Sequence, residues 1–107
     1  MEKLWLFLDD ERLPPRDDKN WKVFRKVGEM LEFILANPRK VAGISFDHDL
    51  GSGNATGYDA AKAIHAFIYM RVWNPERLDL RVHSANPVGA ARMQQVIQSL
   101  ELLFDGD

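Results

Sequence analysis

The sequence predicts an α/β fold, an open parallel sheet with crossover helices, and three observations support this prediction. Short apolar runs, such as Leu4 to Leu8 and Val41 to Phe46, are typical of strands buried on both faces. Segments with apolar residues at helical spacing lie between these runs. Strands and helices also alternate along the chain, which favours parallel strands joined by crossover helices. We expect the strand order 2-1-3-4, with the first and third strands adjacent where the order reverses.

Four strands are predicted. They run from Leu4 to Leu8, Trp21 to Val27, Val41 to Phe46 and Leu78 to Val82. The second strand mixes aromatic and branched residues with Lys and Arg, which indicates a sheet edge with one wet side. The link from Arg12 to Asn20 is short and rich in proline, so the first crossover helix is shortened or lost. The apolar run Leu102 to Phe104 leaves room for a short fifth strand.

Three helices are predicted, one after each of the second, third and fourth strands. The first stops at Asn37, because the proline that follows disfavours helical backbone at that residue. The second starts at Thr56, which with Asp59 forms the pattern of a capping box. The third starts with Asn86 as its N-cap and Pro87 in its first turn.

Length and composition exclude several classes of protein. The 107 residues, 46% of them hydrophobic, predict a single domain over 1–107 with one core. A net charge of −2 argues against broad binding to duplex DNA. The absence of cysteine excludes disulfides, zinc–thiolate sites and a thiol nucleophile. No apolar run exceeds five residues and no secretory signal pattern is present, so we expect a cytoplasmic protein that does not enter a membrane.

Polar residues collect where three predicted strands end. The first strand is followed by Asp9-Asp10-Glu11, the third by Asp47-His48-Asp49 and the fourth by His83-Ser84. Because parallel strands end at the same edge, the three clusters should meet there. Carboxylates this close repel each other unless a cation or shared protons offset the charge. Mg²⁺ prefers such oxygen ligands, and the two histidines would also admit Mn²⁺.

Two loops are candidates for binding an anion. The segment Ser84 to Ala91 is built from small residues at a helix start, where backbone N–H groups and the helix dipole favour phosphate. An ordinary helix cap explains that composition equally well. Gly51 to Gly57 is either a plain flexible loop or a second phosphate cradle. The candidate phosphate contacts are Ser84, Asn86, Gly89 and Thr56.

The acidic motifs resemble those of response-regulator receiver domains. Asp9-Asp10-Glu11 resembles the acidic pair that holds Mg²⁺, and Asp47 matches the phosphoacceptor aspartate. Asp49 matches the position whose backbone carbonyl also binds the metal, and Ser84 matches the residue that contacts the phosphoryl group. One departure is that the last lysine is Lys62, well before the place where receivers carry a phosphate-binding lysine.

The motifs together are similar to those of the cyclic-phosphate processing receiver family, an offshoot of receivers in bacteria and phages. They are Leu-Asp-Asp-Glu-Arg, Ser-Phe-Asp47-His48-Asp49-Leu-Gly51, Thr56-Gly-Tyr-Asp59 and Val-His83-Ser84-Ala-Asn86-Pro87-Val-Gly89. The resemblance implies a flavodoxin-like or receiver-like three-layer sandwich. It also implies a cyclic phosphate substrate, either a nucleotide or an RNA end.

We therefore expect a metal-dependent phosphoesterase that acts on a cyclic phosphodiester. The cation, Mg²⁺ or Mn²⁺, would be held by Asp9, Asp10 and Asp47, with Asp49 near it. The catalytic residues would be His48, His83, Asp47 and Ser84. One histidine would activate water and the other would protonate the leaving group.

The alternative is a signalling or binding domain, phosphorylated at Asp47 or sensing a nucleotide without hydrolysis. The missing lysine argues against a phospho-switch, and the two histidines favour an enzyme, because a receiver needs neither of them.

Overall fold

A computed structural model describes residues 3–50 and 55–105 and contains the predicted alternation of strands and helices there. In chain order the elements are β1 (Leu4–Leu8), β2 (Trp21–Phe24), α1 (Val27–Ala36), β3 (Val41–Phe46), α2 (Gly57–Tyr69), β4 (Asp79–Val82) and α3 (Pro87–Asp105). Strand β2 ends earlier than expected, because Val27 already starts α1. Most of the predicted loop over 51–57 lies outside the described residues, and Gly57 begins α2.

The four strands form one parallel sheet in the order β2-β1-β3-β4, which confirms the predicted order. Leu8 pairs with Phe24 on one side and with Phe46 on the other, and Phe46 pairs with Val82. The carboxyl ends of all four strands are therefore level, and the residues that follow them share one edge of the sheet. The start of β1 is irregular, with a register shift between Leu4 and Trp5.

All three helices pack on the same face of the sheet. Helix α2 contacts both α1 and α3, and the buried core joins these helices to alternate residues of the strands. The fully buried members from the strands include Leu6, Leu8, Ile44 and Phe46. Burial of such side chains contributes about 1.5–3 kcal/mol each, so this helix-covered face is the main source of stability.

The opposite face of the sheet carries no helix in the parts of the chain that the structure describes. The expected three-layer sandwich is thus a two-layer arrangement there, because the loop from Arg12 to Asn20 replaces the first crossover helix. Aromatic side chains cover part of this face. The Trp5 ring lies across Gly43, where an added Cβ would come within 2.5 Å of Trp5 Cε3. Phe7, which is only 4% exposed, packs edge-on against Trp21.

The fifth strand predicted over Leu102 to Phe104 is wrong, because α3 continues through these residues to Asp105. Met93, Ile97 and Leu100 are buried at helical spacing on this helix. The leucines and glutamate that follow are good helix formers, so the backbone continues as a helix. Among the described helices, none combines the length and the apolar character that crossing a membrane requires.

Candidate active site

Three carboxylates meet at the carboxyl edge of the sheet. Asp9, Asp10 and Asp47 each offer an oxygen, and these oxygens all lie within 4.8 Å of one another. The sheet places them together, because Leu8 and Phe46 are paired neighbours and the aspartates follow directly. Asp9 and Asp47 are buried, at 1% and 7% exposure, and Asp10 is half-buried. A buried set of oxygen donors at this spacing fits a hard divalent cation.

The Asp9 carboxylate is held by hydrogen bonds to both of its oxygens. Its Oδ1 accepts from the backbone N–H groups of Glu11 and Arg12, both at 2.8 Å. Its Oδ2 lies 3.0 Å from His83 Nε2. Burial raises the pKa of Asp9, but these donors together outweigh it and leave the pKa below its ordinary value. Asp9 is therefore an ionised carboxylate that is held in one orientation.

Asp47 is in a different electrostatic environment. Burial is the main cause that raises the pKa of its carboxyl group, and the negative charge of Asp9 raises it further. His83 acts in the opposite direction, but more weakly. The cluster thus concentrates negative charge where water is scarce, and a bound cation would offset the repulsion.

Both ring nitrogens of His83 are engaged. Nδ1 lies 2.6 Å from Ser45 Oγ, and Nε2 faces Asp9. The ring stacks on Phe7, with centroids 4.3 Å apart and planes 6° from parallel. An ionised carboxylate can only accept a hydrogen bond, so we assign the proton to Nε2 and let the Ser45 hydroxyl donate to Nδ1. Burial lowers the pKa of His83, although Asp9 and Asp47 both raise it.

His48 is oriented by a separate chain of side chains. Its Nδ1 lies 2.8 Å from Asp49 Oδ1, and Asn86 Nδ2 donates to Asp49 Oδ2 at 3.4 Å. The hydrogen bond from His48 is the main cause that lowers the pKa of Asp49. His48 Nε2 has no hydrogen-bond partner within 3–50 and 55–105. The ring packs against Gly89, where an added Cβ would lie 2.6 Å from His48 Cδ2.

The predicted phosphate contacts belong to two helix starts. At α3, Ser84 Oγ accepts from the N–H of Asn86, and Asn86 Oδ1 accepts from the N–H of Gly89 at 3.1 Å. At α2, Thr56 and Asp59 form the capping box that the sequence predicts. The contacts assigned here are caps, and binding of phosphate by Ser84, Asn86, Gly89 and Thr56 stays a prediction.

Three residues of the site have no role predicted from the sequence, although two of them, Ser45 and Arg12, stand within the quoted motifs. Ser45 is the one hydroxyl side chain in the otherwise apolar strand β3, and this pattern is the signal that would have found it. Arg12, which directly follows the first acidic cluster, donates from Nη1 to the His83 carbonyl at 3.0 Å. Arg25 donates from Nη1 to the carbonyls of Asp9 and Arg12. Nothing in the local sequence around Arg25 indicates these bonds.

The chain was compared with protein families and with individual proteins. A family model described as Cyclic-phosphate processing Receiver domain matches residues 4–99. No curated protein and no solved structure matches at a significant level. The matched residues contain all four strands, and the cluster of Asp9, Asp10 and Asp47 is typical of receiver metal sites. The chain belongs to the family of cyclic-phosphate processing receiver domains.

Proposed function

We propose that this domain is a metal-dependent phosphoesterase that hydrolyses a cyclic phosphodiester. The observation that carries this proposal is the acidic cluster at the edge of the sheet, together with His48 at the same edge. The substrate class follows from the family, whose description names cyclic phosphates. A plain receiver site would need the aspartates but not a histidine held by a carboxylate.

The reaction adds one water molecule and breaks one bond. The water oxygen bonds to phosphorus, and one ring P–O bond breaks, which leaves a phosphomonoester and a free hydroxyl group. Asp9, Asp10 and Asp47 would hold the cation, which supplies charge neutralisation for the phosphoryl oxygens when it is bound. Asp49 lies at the same edge, where it binds His48.

His48 is the group we assign to the attacking water. Because Asp49 accepts from Nδ1, the neutral ring has Nε2 as its basic nitrogen. Nε2 takes the water proton as the P–O bond forms, and Asn86 keeps Asp49 in place. The departing ring oxygen takes its proton from solvent. Among the described residues, His83 has no free ring nitrogen, so it is less suited than His48 to proton transfer.

The residues just before helix α3 are suited to bind the anionic phosphate group of a substrate. Ser84 and Asn86 lie at the N-terminus of a long helix, where the helix dipole favours negative charge. Asn86 also touches Asp49, so the same segment links the phosphate side of the site to the base.

The decisive experiment is a hydrolysis screen with the purified full chain. The substrates are 2′,3′-cyclic nucleotides, 3′,5′-cyclic nucleotides and RNA with a cyclic phosphate end, each with Mg²⁺, Mn²⁺ or a chelator. We expect metal-dependent formation of a phosphomonoester from at least one class, and loss of turnover in Asp47→Asn. The same samples are treated with acetyl phosphate. Stable labelling of Asp47 without hydrolysis of any cyclic phosphate would instead establish the signalling alternative.

A further inference from the structure

We propose that Ser45 acts through His83 to position the Asp9 carboxylate for a divalent cation. This inference rests on the metal site of the proposed function. Ser45 is not among the residues predicted to bind the metal or the phosphate, and it lies in strand β3 rather than in the loops that follow the strands. Burying a hydroxyl group costs free energy unless the group is hydrogen-bonded. The hydrogen-bond partner of the Ser45 hydroxyl therefore indicates the role of Ser45.

The contacts form one directed chain across three strands. Ser45 Oγ lies 2.6 Å from His83 Nδ1, and His83 Nε2 lies 3.0 Å from Asp9 Oδ2. Ser45 is 5% exposed and Asp9 is 1% exposed, so water does not compete freely for these bonds. With the hydroxyl donating to Nδ1, the remaining ring proton is placed on Nε2, where it points at Asp9.

The hydrogen bonds to Asp9 and Ser45 determine the rotation of the His83 ring, whereas its other contacts do not. Stacking on Phe7 fixes the plane of the ring, but it would be equally good with the ring turned over. Arg12 holds the backbone carbonyl of His83 and leaves the side chain undetermined. Asp9 can only accept and so requires the proton on Nε2, and the Ser45 hydroxyl, by donating to Nδ1, satisfies that tautomer and keeps Nε2 turned towards Asp9.

The two histidines therefore have different roles. His83 is a positioning residue for the carboxylate, whereas His48 transfers protons. Partners one step removed from a metal typically contribute 10–100-fold to metal affinity, because they fix the direction of a ligand's lone pairs. Asp9 Oδ1 accepts from two backbone N–H groups and Oδ2 accepts from His83, which leaves one lone pair of Oδ2 for a cation.

The first measurement is Mn²⁺ affinity by titration calorimetry at neutral pH, on the wild type and three serine variants. Ser45→Ala should bind Mn²⁺ several-fold more weakly, a smaller loss than the roughly 10–100-fold that is typical of a direct partner of a metal ligand. Ser45→Thr keeps the hydroxyl and should restore most of the affinity. Ser99→Ala removes an exposed hydroxyl that donates to the Gln95 carbonyl on helix α3, and it should match the wild type. Equal Mn²⁺ affinity in Ser45→Ala and the wild type would overturn the inference.

The second measurement determines which ring nitrogen of His83 carries the proton in the metal-free protein, by long-range ¹H–¹⁵N correlation of the histidine side chains. We expect the wild-type His83 to carry its proton on Nε2, with Nδ1 as an acceptor. In Ser45→Ala its ring signals should change, while those of His65 on helix α2 should stay in place. A wild-type His83 protonated on Nδ1 would contradict the chain of contacts, even if Ser45→Ala failed to fold.

The outcomes separate this inference from the proposed function. If the wild type binds Mn²⁺ and hydrolyses cyclic phosphates but Ser45→Ala retains full Mn²⁺ affinity, the proposed function stands and Ser45 has no positioning role. Weakened Mn²⁺ binding in Ser45→Ala, in a protein that hydrolyses no cyclic phosphate, leaves the positioning role standing and removes the function. A wild type that binds no Mn²⁺ overturns the inference together with the metal site.

Discussion

Two histidines at the same sheet edge differ in which ring nitrogens are bonded, and this difference decides their chemistry. His83 is bonded through both nitrogens, to Ser45 and Asp9. His48 is bonded through Nδ1 to Asp49, a carboxylate that is largely exposed, with 65% of its side chain accessible. A base needs an unoccupied nitrogen and a partner that stabilises its charged form, and among the described residues His48 meets both conditions.

The His48→Ala variant should lose most of its turnover of cyclic phosphate. General acid–base catalysis typically contributes 10²–10⁴-fold to a rate, so we expect a loss in that range with Mn²⁺ affinity nearly unchanged. The measurement is kcat by product analysis, alongside calorimetric titration of Mn²⁺. His65→Ala on helix α2 is the matched control and should retain activity. Turnover by His48→Ala within a factor of two of the wild type would remove His48 from the mechanism.

The Asp10→Asn variant tests the cation site through stability. A ligand that binds only the folded state at 100 times its Kd stabilises it by about 2.7 kcal/mol, so Mn²⁺ should raise the wild-type Tm by several degrees. Asp10→Asn should lose most of this response, and its metal-free Tm should equal or exceed that of the wild type because like charges no longer repel. Scanning calorimetry with and without Mn²⁺ measures both effects.

The control for that experiment is Asp18→Asn, whose carboxylate is 97% exposed and lies 3.9 Å from the Lys19 ammonium group. It should keep the full Mn²⁺ response. A wild-type Tm that does not change with Mn²⁺, or an Asp10→Asn variant that responds like the wild type, would contradict a cation site at these aspartates.

At the scale of the elements, the helix starts bring the site residues into position. Helix α2 begins at Gly57, whose missing side chain leaves room for the Asp47 carbonyl oxygen, because an added Cβ would overlap that atom. The N–H of Gly57 also donates to the carbonyl of His48 at 2.9 Å. Helix α3 begins against the ring of His48 at Gly89. The backbone at Gly57 packs closely against Asp47, and the backbone at Gly89 packs closely against His48, so both contacts restrict the loop after β3.

The Gly89→Ala variant should impair turnover by about tenfold or more while leaving Mn²⁺ affinity close to that of the wild type. The new methyl group meets the His48 ring and displaces the base, and small displacements of this kind are costly to rate. Steady-state kinetics with the best substrate of the screen measures the effect.

Gly28→Ala in helix α1 is the control, because no atom lies within 4 Å of its added Cβ. It should leave turnover unchanged and stabilise the fold by up to about 1 kcal/mol. Unimpaired turnover in Gly89→Ala would show that the contact with His48 does not matter.

The capping box of α2 predicts a pH dependence of stability. The backbone N–H of Thr56 donates to the Asp59 carboxylate at 2.8 Å. This hydrogen bond is the main cause that lowers the pKa of Asp59 in the folded protein below 3.8. The ionised form therefore stabilises the folded state above the ordinary pKa, and this contribution disappears as the pH falls through the lowered folded value. Asp59→Asn should cost about 0.3–1 kcal/mol at pH 7, and the difference should shrink towards pH 3. Urea unfolding across this pH range measures it, and a difference that stays constant would refute the assignment.

At the scale of the whole molecule, stability and chemistry are located on different parts of the sheet. The helix-covered face holds the hydrophobic core, which includes Ile34, Ile44 and Ile64 at 0% exposure. The other face carries Trp5 with the charged groups of Lys19 and Arg81 at 5.1 Å and 4.8 Å from its ring. Phe7 connects this face to the site by stacking on His83. The carboxyl edge, where both faces meet, carries the acidic cluster.

This distribution predicts where substitutions destabilise the protein. Ile44→Ala removes a fully buried side chain from the central strand β3 and should cost about 2–5 kcal/mol of unfolding free energy. Leu13→Ala removes an apolar side chain that is 76% exposed, and it should change stability by less than about 0.5 kcal/mol. Guanidinium unfolding of both variants gives the comparison. Similar losses in the two variants would contradict a core placed on the helix-covered face.

The sequence by itself determined the order of the elements and the convergence of Asp9, Asp10 and Asp47. These features follow from patterns that are local in the chain. Apolar runs specify strands, and residues that follow parallel strands necessarily share an edge. The cap residues of α2 and α3 are local in the same way, because each cap bonds to backbone within three residues.

Only the tertiary structure decided which face the helices cover, how far α3 continues, and what His83 binds. The partners of His83 lie 38 and 74 residues away in the chain, on or directly after strands β3 and β1. Their meeting depends on strand register and on the direction in which each side chain leaves the sheet, and no local pattern encodes both. The apolar run at Leu102 is too short for its pattern alone to distinguish a helix from a strand. In the structure it continues α3, where Leu103 packs against the core and the helix propensity of the leucines favours the same backbone.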